Sequence, residues 1–261
     1  HASEAIRAAQ AGKHIFVEKP IAIKADDIPV MLDAAASNRV RSLVAFILRF
    51  KPLVKLQKKL VSEGELGKVF MANVDYWFGR ERKGWMKHKE QTGGAFILAG
   101  CHSVDMARYI LDSDIVEVTA ANAMVGDYYE YPPVETAQVK FANGALGVFT
   151  CSLVGDVPYT ANLNILGEYG TIVNDQFYLR RFAGQKNFFT LDTGTKQSGD
   201  VYDHPFPEMV EHLIECIRED KESPHNLQSA VNSHLACIAI CTSAQQNGRK
   251  IVIEGSRLLY P

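Results

Sequence analysis

The sequence lacks the features that mark several large classes of protein. It has no run of about 18 apolar residues and no signal-peptide pattern, so a membrane-spanning helix and a secretory route are not expected. It also lacks an excess of either charge, because 28 Lys and Arg stand against 30 Asp and Glu. Nucleic acid and anionic membranes are therefore not expected partners, and the composition favours a cytoplasmic protein that acts on small molecules.

Recognisable cysteine and catalytic motifs are missing as well. The five cysteines are scattered and form no CxxC pair, so we expect buried, reduced thiols rather than disulfides or structural zinc. The sequence has no GxxxxGK[ST], no HExxH, no nucleophile elbow and no GxGxxG. No metal is expected.

The first 50 residues alternate between helical and strand-like patterns. Residues 2–11 and 26–38 have helical spacing, while the apolar runs at 14–17 and 42–48 are typical of strands buried on both faces of a parallel sheet. Because such β/α units build a doubly wound sheet, we expect residues 1–50 to form part of a parallel α/β domain. Two strands make only half of such a domain, so we expect the rest to come from further upstream or from another chain.

From residue 51 to 261 the pattern predicts a second, α+β domain. Helices are predicted at 52–63 and 95–111, and later at 206–220 and 226–246. Asn143-Gly144 between two alternating runs predicts a hairpin, which indicates a large, mostly antiparallel sheet. The strand-like runs are 68–78, 115–126, 135–142, 145–154, 160–166, 171–182 and 251–253.

Lys19 lies just beyond the carboxyl end of the first predicted strand, at the edge of the sheet where open α/β folds bind ligands. Pro20 restricts Lys19 to an extended backbone, which would aim the side chain in one direction. A lysine at the floor of a cleft can take part in proton transfer. The alternative is a solvated loop lysine paired with Glu18, and the residues alone leave both open.

His102 and Asp105 lie three residues apart within a strongly apolar helix, so both point to one face. Asp105 could orient the imidazole of His102, which is the arrangement that a general acid or base needs. A buried pair with a purely structural role is the alternative.

Arg49 and Trp85 are the remaining candidates. Arg49 is predicted at the end of the second strand, where it could bind a carboxylate or a hydroxyl-rich molecule. Trp85 lies in a polar stretch and could stack on a sugar ring, or it could only anchor a loop.

Taken together, these stretches resemble the Gfo/Idh/MocA family of NAD(P)-dependent oxidoreductases. The resemblance runs through nearly the whole chain, and EKP with GCHxxD at these spacings is its most specific part. The matching segments are HASEAIRAAQAGKHIFVEKPIA, FILRFKP, SEGELGKV, TGGAFILAGCHSVD, FANGALGVF, NILGEYGTIVND and SAQQNGRKIVI.

The resemblance implies a hydride transfer between a nicotinamide and a carbon of a sugar, cyclitol or related small molecule. Lys19 and His102 would be the catalytic pair. Glu18, Lys19 and Pro20 would lie at the cofactor, which is NAD or NADP. The substrate would be bound by Arg49, Trp85 and Asp105, with Arg49 and Asp105 alternatively ordering the site.

Two departures from the family pattern accompany the resemblance. Members begin with about 70–80 further residues, which carry the glycine-rich turn that holds the pyrophosphate. Many members also carry Asp four residues before the catalytic His, where this chain has Leu98. Leu98 cannot share a proton, which reduces the family's Lys-Asp-His arrangement to Lys19 and His102.

The resemblance also implies a homodimer or homotetramer that assembles through the C-terminal sheet. An alternative from a different class remains open: a non-catalytic oligomerisation or ligand-binding module that has lost its cofactor site.

Overall fold

A computed structural model describes residues 1–79, 84–194 and 199–260. The polar stretch that carries Trp85 is therefore described except for residues 80–83. The helices are α1 (Ala2–Gln10), α2 (Asp27–Ser37), α3 (Pro52–Ser62), α4 (Lys89–Thr92), α5 (Cys101–Leu111), α6 (Phe206–Arg218) and α7 (Leu227–Gln245). The strands are β1 (Ile15–Val17), β2 (Ser42–Val44), β3 (Val69–Trp77), β4 (Ile115–Ala123), β5 (Val134–Phe141), β6 (Leu146–Ser152), β7 (Thr160–Gly167), β8 (Gly170–Val173), β9 (Gln176–Leu179), β10 (Phe189–Thr190), β11 (Ile251–Glu254) and β12 (Arg257–Leu259).

The first 50 residues form the predicted α/β arrangement, in which β1 and β2 pair in parallel. Two details differ from the prediction. The strand β2 ends at Val44 because the chain then turns into a one-turn 3₁₀ helix, Ile47–Phe50. The strand β1 is not fully buried on both faces, because Phe16 is 36% exposed. Phe206 packs on Phe16, at 6.3 Å between ring centroids, and covers that face only in part.

The rest of the chain builds one ten-stranded sheet. Its order is β10-β9-β8-β7-β3-β6-β5-β4-β11-β12, and β3 with β6 is its one parallel pair among the described residues. The predicted mostly antiparallel sheet is thus confirmed.

The turns of this sheet follow the local sequence with one exception. The hairpin at Asn143-Gly144 is present, with the Asn143 side chain accepting a hydrogen bond from Ala145 N at 3.0 Å. The single strand predicted over 171–182 is wrong. Asn174 adopts a left-handed backbone (φ 55°) and divides that run into the hairpin β8–β9.

Helices α5 and α7 pack together beside the sheet, and α7 also packs on β4. Most side chains of α7 are buried, which explains why its sequence lacks an amphipathic pattern. Elsewhere the sheet carries exposed apolar residues: Leu146 is 55% exposed and Val148 is 47% exposed, both on β6. No helix in the described part of the chain is long and apolar enough to cross a membrane.

Candidate active site

The Glu18-Lys19-Pro20 turn lies at the carboxyl end of β1, as the sequence predicts. The Lys19–Pro20 peptide bond is cis, and the Glu18 carboxylate accepts a hydrogen bond from Lys19 N at 3.3 Å. The Lys19 ammonium is not paired with Glu18 but donates to the carbonyl oxygen of Leu98 at 3.1 Å. The side chain therefore points into the molecule, toward the helix that carries His102.

That helix does not begin as a regular α-helix. Residues Phe96–Gly100 form a π-helical turn that runs directly into α5, whereas the sequence predicts one continuous helix. Such turns are frequent at functional sites because they re-register a helix by one residue. Here the turn carries Leu98, whose carbonyl oxygen binds Lys19, and His102 follows four residues later.

The start of the π-helical turn is held by a buried carboxylate. Glu135 of β5 is 2% exposed and accepts hydrogen bonds from Phe96 N at 3.0 Å and from the Cys241 thiol at 3.3 Å. Gly94 precedes the turn with φ 140°, and a Cβ there would lie 2.7 Å from Cys241 Sγ. Only glycine fits this approach of the backbone to α7.

His102 is 5% exposed and lies between two aromatic rings, Phe46 at 6.2 Å and Tyr76 at 6.1 Å between centroids. Its Nδ1 is buried and has no hydrogen-bond partner within the described residues. Burial, and after it the positive charge of Lys19, hold the pKa of His102 well below that of an exposed histidine. The imidazole is therefore neutral at neutral pH and can accept a proton.

Two expectations about Arg49 and Asp105 are corrected. Arg49 lies in the 3₁₀ helix after β2 rather than at the end of the strand, and its guanidinium binds Asp105 in a bidentate pair at 2.7 and 2.6 Å. Ser233 donates a further hydrogen bond to the same carboxylate at 2.7 Å. Because these groups occupy both oxygens, Asp105 does not orient His102. The pair is 2% and 1% exposed, so it supports an ordering role and not contact with a substrate.

His234 of α7 was not singled out by the sequence, yet it holds the turn that carries Lys19. Its Nε2 accepts a hydrogen bond from Ile21 N at 3.0 Å, and its Nδ1 donates to Ala230 O at 3.0 Å. These partners require the neutral ring, and burial lowers the pKa of His234 to about 4. A lone histidine in an apolar helix carries no signal of this contact, which spans 213 residues.

A cavity of about 730 Å³ opens beside Lys19. Trp85, on the short 3₁₀ helix Gly84–Lys87, lines the cavity and is 44% exposed. Aromatic rings and polar groups together suit a hydroxyl-rich ring, which presents both C–H faces and hydrogen-bonding edges. The lining residues include Glu18, Lys19, Pro20, Tyr76, Phe78, Trp85, Met86, Gln91, Thr92 and Leu98.

The site contains no reactive thiol, and the described residues form no metal site. All five cysteines are free and buried, as predicted. Burial raises the pKa of the Cys101 thiol, next to His102, to about 11, so it is not a thiolate. The described part of the chain contains no group of three or more His, Cys, Asp or Glu side chains that could hold a metal ion.

The resemblance implies a nicotinamide dinucleotide, and the residues described above fit the nicotinamide end of that molecule. The cavity is lined by Glu18, Lys19 and Pro20 and by Leu98 of the π-helical turn, whereas His102, four residues after Leu98, is not among its lining residues. The sequence has no GxGxxG turn, so we name no residue for the pyrophosphate. The residues present therefore suit the nicotinamide end and the substrate.

Comparison with known proteins points the same way. Residues 1–46 match the profile described as "Oxidoreductase family, NAD-binding Rossmann fold", and residues 54–173 match "GFO/IDH/MocA C-terminal domain". The chain is 31% identical to the uncharacterized oxidoreductase YrbE of Bacillus subtilis (strain 168), over 97% of this chain and 75% of that protein.

Two further relatives have named activities. The scyllo-inositol 2-dehydrogenase (NAD(+)) of Bacillus subtilis (strain 168) is 25% identical over 98% of this chain and 75% of its own length. The solved structure of levoglucosan dehydrogenase in complex with NADH and levoglucosan has the same fold, with a TM-score of 0.83 at 24% identity over 98% of this chain and 77% of that one. On this evidence the chain belongs to the GFO/IDH/MocA family of oxidoreductases.

Proposed function

We propose that the protein is an NAD-dependent dehydrogenase that oxidises a hydroxyl of a neutral sugar or cyclitol, or reduces the corresponding carbonyl. The observation that carries the proposal is the contact of Lys19 with Leu98, which brings an ammonium group next to the helix turn that precedes His102. The named activities of the relatives, on scyllo-inositol and levoglucosan, support this substrate class.

In this proposal Lys19 and His102 are the catalytic residues. The Lys19 ammonium donates a hydrogen bond to the reacting oxygen and stabilises negative charge that develops on it. Nε2 of His102, which is neutral at neutral pH, takes the hydroxyl proton during oxidation and returns it during reduction. Bound NAD supplies the hydride acceptor for the oxidation.

The other residues bind or order the site. Glu18 and Pro20 contact the nicotinamide end of the cofactor, and Trp85 packs on the face of the sugar or cyclitol ring. Arg49 and Asp105 do not contact the substrate in this proposal. Their buried ion pair connects the 3₁₀ helix after β2 to α5 and so orders the site. We propose NAD as the cofactor. NADP is the alternative, and the same assay tests both.

We also propose how the chain is organised and assembled. Residues 1–50 form part of the dinucleotide-binding domain and residues 51–261 form the substrate and oligomerisation domain, a division supported by their separate sheets. A homodimer or homotetramer would bury the exposed side chains of β6, Leu146 and Val148. The five free thiols support a reducing, cytoplasmic location.

The test is a screen of the full-length protein with NAD or NADP and a panel of neutral polyols that includes scyllo-inositol and levoglucosan. The absorbance of the reduced nicotinamide reports turnover. We expect turnover with at least one cyclic polyol. A folded protein that binds neither cofactor and turns over no polyol would favour the non-catalytic module instead.

A further inference from the structure

The buried carboxylate of Glu135 on β5 has no role in the proposed reaction, and the sequence did not single it out. The inward-facing residues of β5 are Glu135, Ala137, Val139 and Phe141, so Glu135 is the only polar member of that set. It is 2% exposed. Because burying a carboxylate without donors is costly, one that lies on an apolar strand face asks for an explanation.

The Glu135 carboxylate binds two donors at the start of the π-helical turn. Its Oε2 accepts hydrogen bonds from Phe96 N at 3.0 Å and from Cys241 Sγ at 3.3 Å. Burial raises the pKa of Glu135, and these two hydrogen bonds oppose that rise, so they favour the ionised form. Phe96 is the first residue of the turn, and the first N–H groups of a helix have no acceptor within it. Glu135 therefore supplies, from β5, an acceptor that the turn itself lacks.

The same part of the turn is held on two further sides. Cys151 Sγ of β6 donates a hydrogen bond to Ala95 O at 3.5 Å. Gly94 lies so close to α7 that a Cβ there would be 2.7 Å from Cys241 Sγ. The thiol that touches Gly94 is thus the one that donates to Glu135. The backbone that enters the turn is therefore fixed relative to β5, β6 and α7.

Two hydrogen bonds link this backbone to Lys19. Leu98 N donates to Gly94 O at 2.9 Å, and Leu98 O accepts from Lys19 Nζ at 3.1 Å. An ammonium group has three N–H donors, so the bond to Leu98 O leaves two for other acceptors and restricts where they point. A shift of the turn would displace Lys19 Nζ as well. Glu135 itself does not line the cavity in the described part of the chain.

We propose that Glu135 is a positioning residue, which fixes the π-helical turn so that Leu98 O holds the Lys19 ammonium at the reacting oxygen. This inference rests on the proposed function and adds to it a residue that does not touch the substrate. The reach of the Glu135 side chain matters more than its charge, because the bond from Phe96 N needs only an acceptor at that distance.

Three substitutions of Glu135 separate reach from charge. Glu135→Gln keeps an acceptor at the same reach without the charge. Glu135→Asp keeps the charge but shortens the side chain by one C–C bond, about 1.5 Å. Glu135→Leu has a similar size and no acceptor. The full-length proteins are assayed for kcat and KM with NAD and either scyllo-inositol or levoglucosan, whichever the wild type turns over faster.

Glu117→Asp and Glu117→Leu are the matched controls. Glu117 lies on β4, the strand that pairs with β5, and its carboxylate binds Lys250 at the surface. Thermal midpoints identify any variant that fails to fold. If Glu135→Leu does not fold, the comparison of Glu135→Asp with Glu135→Gln decides the question.

We expect Glu135→Asp to lower kcat about ten- to a hundredfold, because a displacement of about 1 Å at a reacting group has this effect. KM should change by less than about threefold, since the loss falls on the transition state. Glu135→Leu should lose at least as much as Glu135→Asp, whereas Glu135→Gln should stay within about threefold of the wild type.

A second comparison tests whether the effect passes through Lys19. On the background of Lys19→Met, Glu135→Asp should lower kcat by less than about threefold further, because the position of Leu98 O no longer matters without the ammonium. An equal loss on both backgrounds would show that Glu135 acts by another route, or only on the stability of the fold, and would overturn the inference.

Two further results would also overturn it. One is a folded Glu135→Asp enzyme with the kcat of the wild type. The other is a Glu135→Gln enzyme that loses as much turnover as Glu135→Asp, because the charge would then be the property that matters.

A nuclear magnetic resonance measurement separates this inference from the proposed function. If the wild type turns over no polyol, the proposed function fails, but the ¹³Cε and ¹⁵Nζ resonances of Lys19 still report its position. They should shift in Glu135→Asp and stay in place in Glu135→Gln. Unshifted resonances in Glu135→Asp would show that Glu135 does not position Lys19.

Discussion

The ammonium nitrogen of Lys19 lies 3.1 Å from the carbonyl oxygen of Leu98, which is 79 residues away in the sequence. In many members of the family an Asp stands at the position of Leu98, and here the backbone of that same residue binds the lysine instead. The contact joins the turn after β1 to the π-helical turn before α5. It therefore sets where Lys19 lies relative to His102.

The buried pair of Arg49 and Asp105 should be essential for stability. Asp105→Asn leaves the Arg49 guanidinium buried without its counter-charge, so we expect unfolding to become easier by about 3–5 kcal/mol. Asp114→Asn is the control, because Asp114 pairs with Arg108 but is 56% exposed, and its loss should cost less than about 1 kcal/mol. Urea unfolding measures both, and similar small effects would contradict a buried pair.

His234 should make the protein sensitive to acid. Its folded-state pKa of about 4 lies below the value of about 6.5 expected in the unfolded chain. Between these values the unfolded state binds a proton that the folded state does not, so the free energy of unfolding falls as pH drops from about 6.5 to about 4.

The variant His234→Gln removes this titration. The Gln amide oxygen can still accept a hydrogen bond from Ile21 N, but it does not titrate. We therefore expect the variant to be less stable than the wild type at pH 7. In acid its free energy of unfolding should fall less steeply, with a slope smaller by up to about 1.4 kcal/mol per pH unit. Urea unfolding from pH 4 to 7 gives the slope. Parallel curves for variant and wild type would show that His234 does not titrate as described.

His102 should remain a competent base well below the pH at which an exposed histidine becomes protonated. Because its pKa is lowered by burial and by Lys19, we expect its protonation not to reduce the oxidation rate between about pH 8 and 6.5. His102→Gln should lose about 10²–10⁴-fold in kcat. His88→Gln, which removes only a surface pair with Glu130, should retain turnover.

The pH profile of kcat/KM tests this assignment. An acid limb centred near pH 6.5 that disappears in His102→Gln would contradict a lowered pKa. Turnover by His102→Gln within a few-fold of the wild type would remove His102 from the chemistry.

Much of the fold follows from local pattern. All helices except the short α4, which was not predicted, and most strands lie within a few residues of their predicted limits, because hydrophobic periodicity and turn residues such as Asn143-Gly144 act over short distances. The division of the predicted strand at Asn174 was missed. Its left-handed backbone is a single-residue event inside an otherwise continuous strand pattern.

The site was less predictable than the fold. Lys19 was placed correctly because the carboxyl end of a parallel strand is a position that the sequence reveals. The partner of Asp105 was not predicted correctly. The spacing of His102 and Asp105 puts both on one helix face, but it carries no information about Arg49, which lies 56 residues earlier and binds Asp105. His234 gains its role only through a contact with a distant segment, which no local pattern reports.

The most direct test of the account is the turnover of Lys19→Met, with Lys24→Met as the matched control. Both changes remove one positive charge from the same stretch, but Lys24 is exposed, whereas Lys19 binds Leu98 O beside the cavity. We expect kcat for a cyclic polyol with NAD to fall about 10²–10⁴-fold in Lys19→Met and to stay near the wild-type value in Lys24→Met, with both proteins folded. A folded Lys19→Met enzyme that retains turnover within about threefold of the wild type would contradict the assignment of Lys19 to the reaction.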